Sequence, residues 1–151
     1  GRLDLPESAK TSLDHAVLWQ GDIVALGGVD DGVGLWTAPY ATTWNYSGRI
    51  EAMGTANINH LVAGPQIIAV AQQQDGIIGW VSADGADWDL DPSQPMLPSG
   101  VDEFVDVDTA AFGDRTVVTA SYLPIRGDDW ASVALLSPPW STAAAGDPGA
   151  P

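Results

Sequence analysis

The chain has 151 residues, of which 45% are hydrophobic, and this is the size and apolar content of one folded domain rather than of a disordered chain. There are 20 acidic residues against 5 basic ones, and the formal net charge of -15 makes nucleic acid an unfavourable partner. Cysteine is absent, which excludes a disulfide framework, a zinc ribbon and a thiol nucleophile. No apolar run approaches the ~18 to 20 residues of a membrane span, so we expect no membrane insertion.

Residues 2–6 form the first predicted strand, and their sequence RLDLP resembles WDLDP at residues 88–92. The later segment ends a repeated unit in which it is the fourth and outermost strand. We therefore predict that residues 2–6 are a permuted outer strand, which completes a sheet begun at the other end of the chain or in a neighbour.

Three similar units follow along the chain. They occupy approximately residues 14–47, 58–91 and 107–140. Each begins with a predicted hairpin, in which a tight turn containing glycine separates an apolar strand from a return strand rich in β-branched residues. The return strands align on Ala25, Ala69 and Val118. A third apolar run follows each hairpin after a polar link that carries glycine, aspartate or proline.

A fourth short strand is predicted after Trp44 and after Trp88, but none is evident after Trp140. The repeats therefore predict an all-β fold of three four-stranded antiparallel meanders within one domain, residues 1–140. Residues 141–151 contain alanine, glycine, serine and proline without a large apolar side chain, and we predict a flexible tail there.

Residues 82–88, with the sequence SADGADW, resemble the Asp-box, or BNR, signature of sialidase-like β-propellers. In that family the signature lies on the hairpin between strands three and four of a blade, where serine and aspartate side chains bind the turn and an aromatic residue packs beneath it. The resemblance implies structural roles for Ser82, Asp84, Gly85 and Trp88, with Asp84 accepting hydrogen bonds from the backbone of its own turn. Residues 37–44 keep only the ends of the signature, and residues 137–140 are a much reduced form.

Three blades do not close a propeller, because such rings typically hold ~4 to 8 blades. Two chains would form a six-bladed ring about a twofold axis, or the chain would be one portion of a longer propeller. A β-trefoil is the alternative fold, since it also contains three repeats in one compact chain.

The resemblance also implies what a sialidase would need, namely clustered arginines, a nucleophile and a general acid. The arginines are Arg2, Arg49, Arg115 and Arg126, and none lies in a family-like motif. His15 and His60 do not fall on equivalent positions of the repeats, and no G-x-S-x-G motif accompanies them. We therefore predict that the chain is not an enzyme.

Acidic clusters are the candidate metal ligands. They lie at Asp30 and Asp31, at Asp84, Asp87 and Asp89, at residues 102–108, and at Asp128 and Asp129. None has the spacing of an EF-hand, so we predict a solvated acidic rim without a cofactor, and Ca²⁺ at these turns is the alternative.

The seven tryptophans suggest carbohydrate binding, because an indole face stacks on a sugar ring while carboxylates bind its hydroxyls. Trp44 and Trp88 are assigned to packing, and Trp36 and Trp80 are predicted on opposite faces of the aligned strands. Surface platforms remain at Trp19, Trp130 and Trp140. The candidate ligand-binding residues are therefore Trp19, Trp130, Asp128 and Asp129.

The leading hypothesis is a non-catalytic, β-propeller-like module that binds or scaffolds and assembles through its repeat edges, as a homo-oligomer or with the remainder of a larger propeller. Three alternatives stay open. They are a lectin-like carbohydrate-binding domain, a non-catalytic portion of a larger sialidase-like glycoside hydrolase, and a structural component of a virion or cell envelope. An extracellular or surface location is favoured over an intracellular one.

Overall fold

The computed structural model describes residues 11–40, 43–73, 76–91, 101–112, 115–124, 129–136 and 141–143. These residues form three antiparallel sheets of four strands each, without an α-helix. The first sheet contains β1 (Thr11–Trp19), β2 (Asp22–Val29), β3 (Gly32–Pro39) and β4 (Asn45–Arg49). The second contains β5 (His60–Ala63), β6 (Ile67–Gln73), β7 (Gly76–Ser82) and β8 (Asp89–Leu90). The third contains β9 (Val101–Phe112), β10 (Arg115–Pro124), β11 (Ala131–Leu136) and β12 (Ser141–Ala143).

Each sheet is a simple meander in which strands consecutive in sequence are hydrogen-bonded neighbours. The β1–β2 turn shows how the sequence specifies this order, because Gln20 and Gly21 both have positive φ, at 51° and 90°. Two such residues in a two-residue loop give a turn whose twist matches that of the flanking strands. The predicted all-β fold of three four-stranded meanders is confirmed.

Two apolar cores lie between the sheets and show how the sheets are arranged. The first core joins sheets one and two and contains Leu26 and Leu35 on one side and Ile67 and Trp80 on the other. The second core joins the opposite face of sheet two to sheet three, through residues such as Val70 and Val118. The three sheets are therefore stacked with the second in the middle.

The first strand of each sheet lies next to the first strand of the adjacent sheet, because β5 contacts both β1 and β9. A short 3₁₀ turn, Glu51–Met53, links sheet one to sheet two. The described strands form three separate sheets and no closed barrel, which differs from the β-trefoil alternative, in which the units share one barrel. No described helix has the length and apolar character needed to cross a membrane.

The end of the third sheet corrects both the absence of a fourth strand after Trp140 and the flexible tail from residue 141. Ser141–Ala143 pairs with Ala134–Leu136 and forms the fourth strand of sheet three, so the expectation of a flexible tail beginning at residue 141 is wrong at its start. Small residues without alternating apolar side chains give no strand signal, but their backbone groups pair with β11 equally well. Residues 144–151, and the predicted permuted strand at residues 2–6, lie outside the described residues.

The positions of Trp36 and Trp80 provide another correction. Trp36 pairs with Ala25 and Trp80 pairs with Ala69, and the two alanines are the aligned residues of their repeats. The two tryptophans therefore occupy the same position and face of their respective sheets, and the prediction of opposite faces is wrong. It came from an alignment of the third strands that was one residue out of register, which reverses the face of a side chain.

Candidate functional site

Three polar residues occupy the same position on the adjacent first strands of the three sheets. The cross-strand pairs are His15 with Leu26, His60 with Val70, and Asp108 with Thr119. In each pair, the residue on the second strand comes directly after the aligned residue of its repeat, which is Ala25, Ala69 or Val118. The prediction that His15 and His60 are not equivalent is therefore wrong. His15 and Leu26 are 11 residues apart in sequence but His60 and Val70 are 10 apart, because the β1–β2 hairpin has a turn one residue shorter and one more strand pair between the turn and the histidine.

This first-strand row, His15, His60 and Asp108, spans the three sheets where they approach each other. The two imidazole rings are 6.5 Å apart between centroids. His15 donates from Nε2 to the carbonyl oxygen of Ile58 at 2.9 Å, which leaves Nδ1 as an acceptor when the ring is neutral. His60 Nδ1 lies 3.8 Å from Asp108 Oδ1, which is the distance of a loose ion pair when His60 is protonated. The row places three polar side chains at the junction of the first strands, and counting along the chain missed it.

The turn at residues 82–88, named the Asp-box turn for its sequence resemblance, is held by hydrogen bonds of its own side chains. Asp84 Oδ1 accepts hydrogen bonds from the backbone N–H groups of Ala86 and Asp87, both at 2.8 Å. Ser82 Oγ donates to the same carboxylate at 3.2 Å and accepts from the N–H of Gly85 at 2.9 Å. These bonds satisfy the backbone of a turn that no strand pairing supports.

Gly85 and Trp88 complete the turn and fix it against sheet one. Gly85 has φ of 80°, and a Cβ atom there would lie 3.3 Å from Val24 of sheet one, so both conformation and space favour glycine. Trp88 is buried in the core between sheets one and two, beneath the turn. The turn is therefore part of the contact between two sheets as well as a local structure.

Replacing Asp84 with asparagine is expected to weaken the fold at neutral pH and to have less effect in acid. The N–H groups of Asp87 and then Ala86 hold the pKa of Asp84 below its usual 3.8. The folded state therefore binds this proton less readily than the unfolded state, so the stabilisation is full above pH 3.8 and is lost as the pH falls through the folded pKa. Urea unfolding across this pH range would show the gap between wild type and Asp84→Asn closing in acid. A gap of constant size would contradict the assignment.

Trp19 is not a surface platform, and that prediction is wrong. The side chain is buried in the core between sheets one and two, and its Nε1 donates to the carbonyl oxygen of Gly64 at 3.1 Å. Alternation along β1 places Trp19 on the same face as Val17, which also packs against this core. The Trp19 side chain instead attaches the end of β1 to the β5–β6 turn of sheet two through this hydrogen bond.

Trp130 and Asp129 are exposed before β11, with 58% of the Trp130 surface open to solvent. Asp128 lies outside the described residues. Exposure makes Trp130 available for stacking, and its role as a carbohydrate platform stays a prediction.

Two of the acidic turn residues interact within the protein. Asp31 accepts a hydrogen bond from Arg49 Nη1 at 3.1 Å, and Asp84 serves its own turn. Among the described residues, no group of three or more His, Cys, Asp or Glu could hold a metal ion.

Comparison of the chain with known protein families finds no match, and comparison with curated proteins finds none either. The Asp-box resemblance thus rests on the residues of the turn alone.

Proposed function

We propose that the chain is a non-catalytic scaffolding module of the β-propeller type, whose three sheets act as blades and are completed by a second copy of the chain. The observation that carries the proposal is the outward face of sheet one. This face has the Ala25–Trp36 pair where sheet two has the Ala69–Trp80 pair, and the second pair packs against a neighbouring sheet. The outward face of sheet one therefore has the same kind of residues as the face of sheet two that packs against sheet one.

Part of this outward face is apolar and exposed. Leu18 alternates with the core-facing Val17 and Trp19, and 70% of its surface is open to solvent. The neighbouring part is already packed, because Trp36 is buried with Tyr46 at a ring-centroid distance of 5.0 Å. An exposed leucine beside a packed aromatic pair supports a contact between two copies of the chain in which β1 takes part.

The outward face of sheet three has the complementary character. By alternation from the core residues Val118 and Ala120, it carries Thr119 and Ser121 on β10, whose cross-strand partners on β9 are the exposed Asp108 and Asp106. Ser121 Oγ lies 3.4 Å from Ser132 Oγ on β11. Short side chains let another sheet approach closely and receive larger side chains such as Leu18. Because the two faces differ, the contact joins the outward face of sheet one in one copy to the outward face of sheet three in the other copy. A twofold axis then closes a ring of six sheets.

Cross-linking tests this arrangement without background, since the chain contains no cysteine. A mixture of Leu18→Cys and Ser132→Cys proteins treated with a short bismaleimide is expected to give a covalent dimer, whereas either protein alone gives much less. Leu90→Cys mixed with Ser132→Cys is the control, because Leu90 is exposed on the outer strand of sheet two. A dimer formed by Leu18→Cys alone would indicate that the same face pairs with itself, and would overturn the head-to-tail ring.

A further inference from the structure

The two histidines of the first-strand row are the only histidines of the chain, which has no cysteine either. His15 belongs to sheet one and His60 to sheet two, yet their rings lie side by side, with centroids 6.5 Å apart and planes inclined by 37°. Imidazole is the ligand that suits Cu²⁺, Ni²⁺ and Zn²⁺, whereas carboxylates suit Mg²⁺ and Ca²⁺. The fold therefore brings every imidazole of the chain to one place.

His15 has one ring nitrogen engaged by the protein. Nε2 donates to the carbonyl oxygen of Ile58 at 2.9 Å, so Nδ1 keeps its lone pair when the ring is neutral. Histidines that bind metals typically donate their other ring N–H to a backbone carbonyl or a carboxylate, because this hydrogen bond orients the ring and makes the ligating nitrogen more basic. His15 has this arrangement with Nδ1 as the ligating nitrogen.

His60 has the corresponding arrangement with a carboxylate. Its Nδ1 lies 3.8 Å from Asp108 Oδ1, and the negative charge favours the ring proton on Nδ1, which leaves the lone pair on Nε2. Strand β5 contacts β1 on one side and β9 on the other. Asp108 is on β9 and His15 is on β1, and the two nitrogens of an imidazole point in different directions. The nitrogen of His60 that is turned away from Asp108 is therefore on the side of His15.

The separation of the two rings indicates which coordination geometry the pair favours. With metal–nitrogen bonds of ~2.0 Å, ring centroids are about 6.3 Å apart when the imidazoles lie on opposite sides of the metal, and about 5.2 Å apart at a tetrahedral angle. The observed 6.5 Å is close to the first value. Ligands on opposite sides of the metal occur in the square-planar or tetragonal geometry of Cu²⁺ and Ni²⁺, and not in the tetrahedral geometry of Zn²⁺.

Solvent and charge also favour a bound cation here. The His60 side chain is 30% exposed, so water reaches the pair and is available as a further ligand. The formal net charge of -15 attracts cations to the surface. Among divalent metals of this series, Cu²⁺ forms the most stable complexes with nitrogen ligands.

We propose that His15 and His60 together bind one Cu²⁺ ion, with Nδ1 of His15 and Nε2 of His60 on opposite sides of the metal and water in the remaining positions. The site uses two protein ligands from one copy of the chain. It therefore does not depend on the second copy that the scaffolding function requires.

The test is a calorimetric titration of the untagged full chain with CuCl₂, NiCl₂ and ZnCl₂. One Cu²⁺ per chain is expected to bind with a dissociation constant on the order of 10 µM, and more tightly than Ni²⁺ or Zn²⁺. His15→Gln and His60→Gln should each weaken Cu²⁺ binding about tenfold, since one of two imidazole ligands is lost. Asp22→Asn is the matched control at an exposed position on β2, and it should keep the wild-type affinity.

Two spectroscopic readouts accompany the titration. Electron paramagnetic resonance of the Cu²⁺ complex is expected to show two nitrogen ligands in the wild type and one in each single variant. In the ¹⁵N-labelled wild type, less than one equivalent of Cu²⁺ should broaden the NMR signals of His15 and His60 before those of the acidic turn at Asp30 and Asp31. The NMR result does not depend on the folding of any variant.

Three results would overturn the proposal. The first is unchanged Cu²⁺ affinity in the double variant His15→Gln/His60→Gln, and the second is broadening that begins at Asp30 and Asp31, since either would assign the ion to surface carboxylates. The third is tighter binding of Zn²⁺ than of Cu²⁺, which contradicts ligands on opposite sides of the metal. The mass of the metal-free chain is measured separately, so failure of the copper site is distinguishable from failure of the scaffolding proposal.

Discussion

Leu26→Ala is expected to lower the free energy of unfolding by about 3 kcal/mol, since deletion of a fully buried leucine side chain leaves a cavity as well as removing apolar contacts. Leu26 has no exposed surface and lies on β2, in the core shared by sheets one and two. It also pairs directly with Leu35 on β3, so the side chain is enclosed both within its own sheet and against the next one. Urea unfolding followed by circular dichroism would measure the loss.

Leu90→Ala is the matched control for this change. Leu90 is 51% exposed on β8, and a substitution at such a position usually changes stability by less than about 0.5 kcal/mol. Equal losses for the two variants would show that the contact between sheets one and two contributes little to stability, which contradicts the stacked arrangement.

The second large effect is expected at Trp80, where replacement by phenylalanine should destabilise the fold by about 2 to 3 kcal/mol, from ring contraction and a broken hydrogen bond. The Trp80 indole donates to the carbonyl oxygen of Ala52 at 2.9 Å, in the 3₁₀ turn that links the first two sheets. The substitution leaves this carbonyl without its indole donor. It therefore weakens the attachment of the link to sheet two.

Trp88→Phe makes the same chemical change at a second tryptophan of the same core. Its Nε1 has no partner, so the substitution breaks no hydrogen bond and removes an unpaired buried donor. We expect Trp88→Phe to be less destabilising than Trp80→Phe by about 1 to 2 kcal/mol. Equal losses in parallel urea titrations would contradict the different hydrogen bonding of the two indoles.

The hairpins and the number of sheets could be predicted from the sequence because their signals are local. Glycine in a turn and β-branched residues such as Ile67 and Ile68 in a return strand have the same preferences wherever the strand lies in the fold. The Asp-box turn is also local, since the partners of Asp84 are all within three residues of it. The predicted all-β fold with three antiparallel sheets agreed with the structure.

The features that could not be predicted depend on register or on tertiary contacts. A difference of one residue in the sequence spacing of cross-strand partners concealed the equivalence of His15 and His60, and one residue of misalignment reversed the face of Trp80. The burial of Trp19 depends on the position of the Gly64 carbonyl, 45 residues away in sequence. Strand β12 has no side-chain pattern at all and is defined only by its backbone pairing with β11.

The mass of the purified chain in solution, measured by light scattering at about 50 µM, tests whether a second copy completes the three sheets. We expect twice the mass of one chain for the wild type. For Leu18→Asp we expect the mass of one chain, because a carboxylate would be buried without a partner at the contact between outward faces. Leu90→Asp, at another exposed position, should keep the wild-type mass. A wild-type protein with the mass of a single chain would contradict the proposal that a second copy completes the three sheets.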